Sequence, residues 1–325
     1  MKRLHLNYQQ GLTLVELLIA TALGMFIVLA VTGLTISSKS AQSAQNDAAT
    51  IQDTARFALN NINHSVKNAG YVHFDQEVAS SIQTENLTAS IVGFDAGSLK
   101  ATTYGVDSPG SSMNSSDILA VRFFGSGIFS DNTVLNCAGF GVPAVTSQNT
   151  AEKERGWSIY YVANDVDNEP ALFCKYDGKS KESKSKNGGS KFTAQAIARG
   201  VESFQVLYGI NTNSTVNIAN INSPQFLTAN QITALDSDIP ASELNKKTHW
   251  KKITAVKVAM LIRGAENSRL DSSTTTYNLF GKDYGDSMGA SDEGTQINES
   301  DIPIKQRKRL RKVVGMTIQL RNALN

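Results

Sequence analysis

Cysteine is nearly missing from this chain: Cys137 and Cys174 are the only two in 325 residues, and neither belongs to a CxxC pair. A zinc ribbon and a thioredoxin-like redox motif are thereby excluded. Histidine is almost as scarce. His5, His64, His73 and His249 show no HExxH or paired-ligand spacing, so no metal site is expected from them. An excess of either charge is missing too, with Lys+Arg 31 against Asp+Glu 29, which argues against a nucleic-acid binder driven by bulk charge. Neither proline nor glycine occurs from Ser37 to Ala69, so nothing there interrupts a helix. The length suits one large domain or two smaller ones, with enough chain for a real core.

What is present is concentrated at the N-terminus. A polar leader, MKRLHLNYQQ, carries Lys2, Arg3 and His5 and ends at Gly11; LTLVELLIATALGMFIVLAVTGLTI then runs from Leu12 to Ile36 with one charge, Glu16. As a helix this run would span about 37 Å, enough for a tilted crossing of a hydrocarbon core of about 30 Å. Lys2 and Arg3 should keep the leader cytoplasmic and send the rest outward. The carboxylate is the anomaly, because an acidic residue at mid-bilayer costs about 2.5–3.5 kcal/mol. A secretory signal peptide cut at Ala20-Thr21-Ala22 fits poorly, since the apolar run continues past Ala22 and Glu16 interrupts it. A plain anchor with a snorkelling Glu16 explains the span but not the arrangement of Gly11, Thr13 and Glu16.

Beyond Ile36, Ala44, Ala48, Ile51, Ala55, Ala58, Leu59, Ile62, Val66 and Ala69 recur in steps that mark one face of an amphipathic helix. Gly70 is its natural stop. A heptad coiled coil is the alternative, but the stripe is Ala-rich and lacks flanks of alternating charge. One helix of about 87 Å from Leu12 to Ala69 is therefore expected. After Gly70 the period changes to two. Strands are predicted at Ile118–Phe124, Trp157–Val162, Ala171–Tyr176, Ser203–Tyr208, Ile253–Ile262 and Val313–Leu320, with long polar loops at 77–116, 177–192, 209–249 and 265–305. The class is α+β.

The combination of basic leader, Gly11, an apolar residue, Thr13, two more apolar residues, Glu16 and a long apolar run resembles the class III signal of type IV pilins and pseudopilins. TARFALNNINHSVKNAGY (54–71), SSDILAVRFFG (115–125), ARGVESFQVLYGIN (198–211), WKKITAVKVAMLIRG (250–264) and RLRKVVGMTIQLRN (309–322) resemble PilW-type minor pilins. The resemblance implies a pilin fold, a long N-terminal helix packed on a mainly antiparallel head. It implies a leader (1–11) removed by prepilin peptidase between Gly11 and Leu12, N-methylation of Leu12, and a transmembrane and filament-core helix (12–36). An amphipathic helix packed on the head (37–70) and a periplasmic β-rich head (71–325) follow. Leu12 departs mildly from the phenylalanine common at that position. Glu16 is implied to pair with the α-amino group of a pilin subunit during assembly. The implied protein is not an enzyme and carries no cofactor. It sits in the inner membrane of a Gram-negative bacterium, primes the pilus with other minor pilins and the major pilin, and ends near the tip, with a tip adhesin as a further candidate partner. The alternative is a J-type minor pseudopilin of a type II secretion system. The segments VLNCAG and ALFCKY resemble that family's paired cysteines, and a periplasmic head makes a Cys137–Cys174 disulfide the expectation against two buried thiols.

Other motifs weigh less. GDSMG at 285–289 matches G-x-S-x-G, but it lies in a polar stretch and the last histidine, His249, precedes Ser287, against the order of an α/β-hydrolase triad. Asp165, Asp167, Asn168 and Glu169 form an acidic turn, and Asp283, Asp286, Asp292 and Glu293 an acidic loop. Calcium is the ion to consider there, yet neither stretch has EF-hand spacing. KYDGKSKESKSKNGGSK (175–191) reads as a flexible hydrophilic loop and KQRKRLRK (305–312) as a solvated face or partner contact. Both are poor in the aromatics a single-strand nucleic-acid site needs.

Overall fold

The computed structural model describes residues 11, 13–73, 82–126, 133–178, 192–210, 225–266, 268, 269 and 274–322. Residues 1–10 of the leader, Leu12 and residues 179–191 of the Lys/Ser-rich stretch lie outside the described residues.

Helix α1 spans Leu14–Asn68, 55 residues, or about 82 Å. Its two halves meet different surroundings. Leu14, Leu18, Met25, Phe26, Leu29 and Leu34 are all more than half exposed, whereas Ile51, Ala55, Ala58, Ile62 and Val66 are buried. The buried set falls in steps of three and four, so one stripe faces the head, and packing begins at Ile51. In the exposed half, the Thr21, Thr32 and Thr35 hydroxyls donate to the Leu18, Val28 and Val31 carbonyls at 3.0, 2.7 and 2.8 Å. These three hydroxyls need no outside partner, as a hydrocarbon environment requires. α1 ends where Gly70 takes φ +67, and a Cβ at that position would stand 2.9 Å from the Asn322 carbonyl. Asn322 Nδ2 donates to the Lys67 and Ala69 carbonyls at 3.3 and 3.2 Å, which satisfies acceptors that a helix end leaves open.

Thirteen strands follow among the described residues: β1 (Ile91–Phe94), β2 (Gly97–Ser98), β3 (Gly110–Ser111), β4 (Ile118–Phe123), β5 (Gly156–Asn164), β6 (Pro170–Asp177), β7 (Phe192–Arg199), β8 (Val201–Ile210), β9 (Gln225–Leu227), β10 (Ile253–Arg263), β11 (Thr276–Asn278), β12 (Gln296–Asn298) and β13 (Arg311–Gln319). They form two antiparallel sheets, β1-β4-β5-β6-β7 and β13-β10-β8-β9, and the small pairs β2–β3 and β11–β12. The chain changes sheet at Gly200 (φ +81), whose missing Cβ would lie 2.7 Å from the Arg263 carbonyl. The α1 stripe closes over one core formed with both sheets, through Leu119, Tyr160, Leu172, Phe204, Val256 and Met260. The Tyr160 hydroxyl, buried in that core, donates to Asn61 Oδ1 at 2.6 Å and shares a 2.7 Å bond with Ser65 Oγ.

All six predicted strands are present, as β4, β5, β6, β8, β10 and β13, but the loops differ from expectation. Residues 77–116 and 265–305 contribute β1, β2, β3, β11, β12 and the helix Lys282–Met288. Leu99 and Val106 cover the outer face of the first sheet at Ile118, Ile159 and Phe192. Leu279 and Ile297 cover the outer face of the second at Ala259 and Leu261. Both faces of β4 and β8 are therefore buried at every position. These segments lack a long apolar run because each supplies only a few residues to a surface that the strands already make. β7 is not among the predicted strands: FTAQAIAR has two exposed positions at its centre, which weakens its alternation.

Cys137 and Cys174 are disulfide-bonded with Cα atoms 5.8 Å apart, so the free-thiol alternative does not hold. Cys174 lies on β6 in the main core, and the bond ties the 133–142 segment to it. Closing this loop of 37 residues stabilises the head by roughly 4 kcal/mol in the chain-entropy account. Replacing both cysteines by alanine is expected to lower the melting midpoint of the full chain by roughly ten degrees. Calorimetry of the two proteins side by side checks it; coincident midpoints would show that the bond constrains nothing.

Candidate functional site

The start of α1 is built by four residues. Thr13 is extended (φ −71, ψ 152) and caps the helix. Its hydroxyl accepts the Glu16 N–H at 3.3 Å, while Glu16 Oε2 accepts the Thr13 N–H at 2.9 Å and the Thr13 hydroxyl at 3.0 Å. This is a capping box, in which T-x-x-E satisfies two backbone donors reciprocally. The sequence motif already includes Thr13 but not its role as a cap, although Thr13-Leu14-Val15-Glu16 carries the signature. Gly11 has open space around it. The structure thus brings Thr13 and Glu16 into one turn, Gly11 makes no contact with it, and Leu12 lies outside the described residues.

The arrangement has a chemical consequence. A carboxylate offers about four lone-pair sites, and both Thr13 donors converge on Oε2. Oε1 takes neither of them and can accept an ammonium. Cleavage after Gly11 would convert the Leu12 amide to an amine and leave the Thr13 amide and hydroxyl in place. The capping box and a charge pair can therefore coexist on one carboxylate.

At the end of β10 nearest residue 47 of α1, where the missing Cβ of Gly264 would stand 3.3 Å from that of Asp47, the head is fastened by ion pairs. Glu202 on β8 accepts Arg263 Nη1 at 3.0 Å and Arg311 Nε and Nη2 at 2.6 and 3.1 Å. Arg311 also reaches Glu299 at 3.2 Å, Arg263 reaches Glu169 at 2.6 Å, and Arg309 reaches Glu266 at 2.8 Å. Arg309 and Arg311 belong to KQRKRLRK and are buried. That stretch is therefore not a uniformly solvated basic face, because two of its cations hold β13 to the head.

The remaining motifs resolve similarly. Lys175 is fully buried on β6 and donates to Thr103 at 2.8 Å; burial pushes its ammonium down to about 8, with Asp107 opposing. Asp165 and Asp167 pair with Arg199 at 2.9 and 3.2 Å. Asp292 accepts the Tyr284 hydroxyl at 2.8 Å, and burial raises its carboxyl to about 6. Asp286 pairs with Lys282. Among the described residues, no three His, Cys, Asp or Glu side chains gather as a metal ligand set. GDSMG is not a loop as expected: its first four residues end the helix Lys282–Met288, and Ser287 Oγ donates to the Asp283 carbonyl at 2.7 Å. His249 Nδ1 lies 2.7 Å from Asp236, and His73 Nδ1 3.3 Å from the Tyr71 hydroxyl.

Comparison with known proteins adds two findings. The family model of Type IV Pilus-assembly protein W matches residues 159–322, half of the chain. The prokaryotic N-terminal methylation motif matches residues 6–32, which include Gly11, Thr13 and Glu16. No curated protein matches. A type IV-like pilin from Thermus thermophilus is similar over 86% of this chain and 98% of its own, with 13% identity and a TM-score of 0.40. The methylation motif implies prepilin-peptidase processing, membrane anchoring and assembly with other pilins. On the matched head, the matched N-terminus and the helix-and-sheet architecture between them, the chain belongs to the PilW family of type IV pilus-assembly proteins.

Proposed function

We propose that this chain is a minor pilin, cut by prepilin peptidase between Gly11 and Leu12, methylated on Leu12 and held in the inner membrane by the exposed half of α1 with its head in the periplasm. In this reading it primes pilus assembly with other minor pilins and remains at or near the tip. Glu16 pairs with the α-amino group of a pilin subunit and guides docking. The role is structural, with no catalytic residue and no cofactor. The observation that carries it is the capping box beside an α1 half whose large apolar side chains all face outward. A folded monomer exposes such a surface only to lipid or to other helices.

N-terminal sequencing of protein from membranes and from sheared filaments tests both steps. A chain starting at N-methylated Leu12 in both fractions is expected. A start at Met1, or after Ala22, would overturn the processing. Absence from the filament fraction would overturn incorporation.

A further inference from the structure

A cavity of about 420 Å³ opens on the side of the head, and its lining comes from the head alone. Six of its residues are amides: Asn114, Asn164, Asn168, Gln296, Asn298 and Gln306. Each is oriented by one internal hydrogen bond. Asn114 Nδ2 donates to the Glu202 carbonyl at 2.8 Å and Asn164 Nδ2 to Asn168 Oδ1 at 2.9 Å. Gln296 Nε2 donates to Asn278 Oδ1 at 3.0 Å. Asn298 Oδ1 accepts from Thr276 at 2.9 Å, and Gln306 Oε1 from Arg263 Nη1 at 3.2 Å. The opposite end of each amide takes no hydrogen bond among the described residues. Three acceptors remain (Asn114 Oδ1, Asn164 Oδ1, Gln296 Oε1) and three donors (Asn168, Asn298 and Gln306).

Two further observations point the same way. Asn114, Ser115 and Asn168 have φ of 48, 49 and 59°, three of the five non-glycine residues with positive φ among those described, and all three line this cavity. Such backbone is held only where the surroundings over-determine it, and it concentrates at binding sites. Arg263 also lines the cavity, its side chain is 6% exposed, and its Nε is buried without a partner. A buried unsatisfied donor is costly unless something supplies an acceptor.

We infer that this cavity binds a neutral carbohydrate of one or two sugar units. Of the charges at its wall, Glu202 and Arg263 pair at 3.0 Å, and the exposed Asp301 carboxylate disfavours anions and can accept from a neutral ligand's hydroxyl groups. What remains is a mixed set of three donors and three acceptors, which matches hydroxyl groups because each of them both donates and accepts. Met113, Ile302 and Pro303 supply aliphatic surface for the C–H faces of a ring, and the volume lies within the range of small-molecule sites. An extended peptide would be recognised by the main chain of a sheet edge. The long strands bordering this cavity, β5, β6, β8 and β10, are interior strands with both edges paired, and β12, paired on one side only, is three residues long, a short edge for an added strand.

The test uses the full chain in a zwitterionic, sugar-free detergent, with immobilised lactose, cellobiose and chitobiose as probes and a Ser/Gly peptide as comparison. Retention of at least one disaccharide is expected, unchanged from low to high salt and displaced by the same disaccharide in solution. Asn168→Gly suits its positive φ and removes a free donor; Asn298→Ala removes another at a partly exposed position. Each should weaken retention about tenfold, the scale of one lost hydrogen bond of about 1.4 kcal/mol, with an unchanged melting midpoint. Failure to retain any of the three sugars, preference for the peptide, or full retention by both variants would overturn the proposal.

Discussion

Glu16→Gln is expected to leave the protein folded and in the membrane but to reduce its amount in sheared filaments roughly tenfold or more, the effect of leaving an ammonium unpaired in an apolar setting. Glutamine serves in a capping box as glutamate does, so this substitution keeps the Thr13 contacts while removing the charge. Thr13→Ala does the converse. It deletes the cap, at a cost of about 1 kcal/mol to the first turn, and keeps the carboxylate. If Glu16 acts by charge, Glu16→Gln fails and Thr13→Ala retains most incorporation. If Glu16 only caps the helix, the order reverses. Immunoblots of membrane and filament fractions from the two strains separate these outcomes, and normal incorporation of Glu16→Gln would end the charge-pairing reading.

Loss of the Glu202 charge is expected to have the largest effect on the head. Glu202 is 4% exposed and receives three hydrogen bonds from two arginines. Glu202→Gln keeps the shape but leaves Arg263 and Arg311 with less anion than their burial demands. Removing one partner of a buried pair costs about 3–5 kcal/mol. Neighbours limit the loss, since Arg311 retains Glu299 and Arg263 retains Glu169. The paired replacement Glu202→Leu with Arg311→Met should recover part of it, because a well-packed apolar pair can match a buried ion pair. Denaturant melts of the three proteins check this, and a Glu202→Gln midpoint equal to wild type would show that the network adds nothing to stability.

How much could be read in advance differs by region, for physical reasons. The Ala/Ile stripe from Ile51 to Val66 and its stop at Gly70 were legible because helical packing imposes a period on nearby residues. The six long strands were legible because their β-branched and aromatic residues form local runs. β7 and the covering segments were not, since residues such as Leu99, Leu279 and Ile297 are isolated apolar positions whose burial depends on sheets formed elsewhere. The capping box is a local T-x-x-E pattern, fully present in the sequence at Thr13 and Glu16.

The N-terminal methylation motif was determined by sequence alone, because Gly11, Thr13, Glu16 and the apolar run lie close together in the chain. The disulfide needed only compartment and resemblance to be expected, but the fold had to bring Cys137 and Cys174 to 5.8 Å. The ion-pair cluster and the amide-lined cavity belong to the tertiary structure entirely. Glu202 and Arg311 stand 109 residues apart in the chain, and Asn164 and Asn298 are similarly remote. No local pattern could join either pair, and for Glu202 and Arg311 it is the pairing of β8 with β10 and of β10 with β13 that sets their distance.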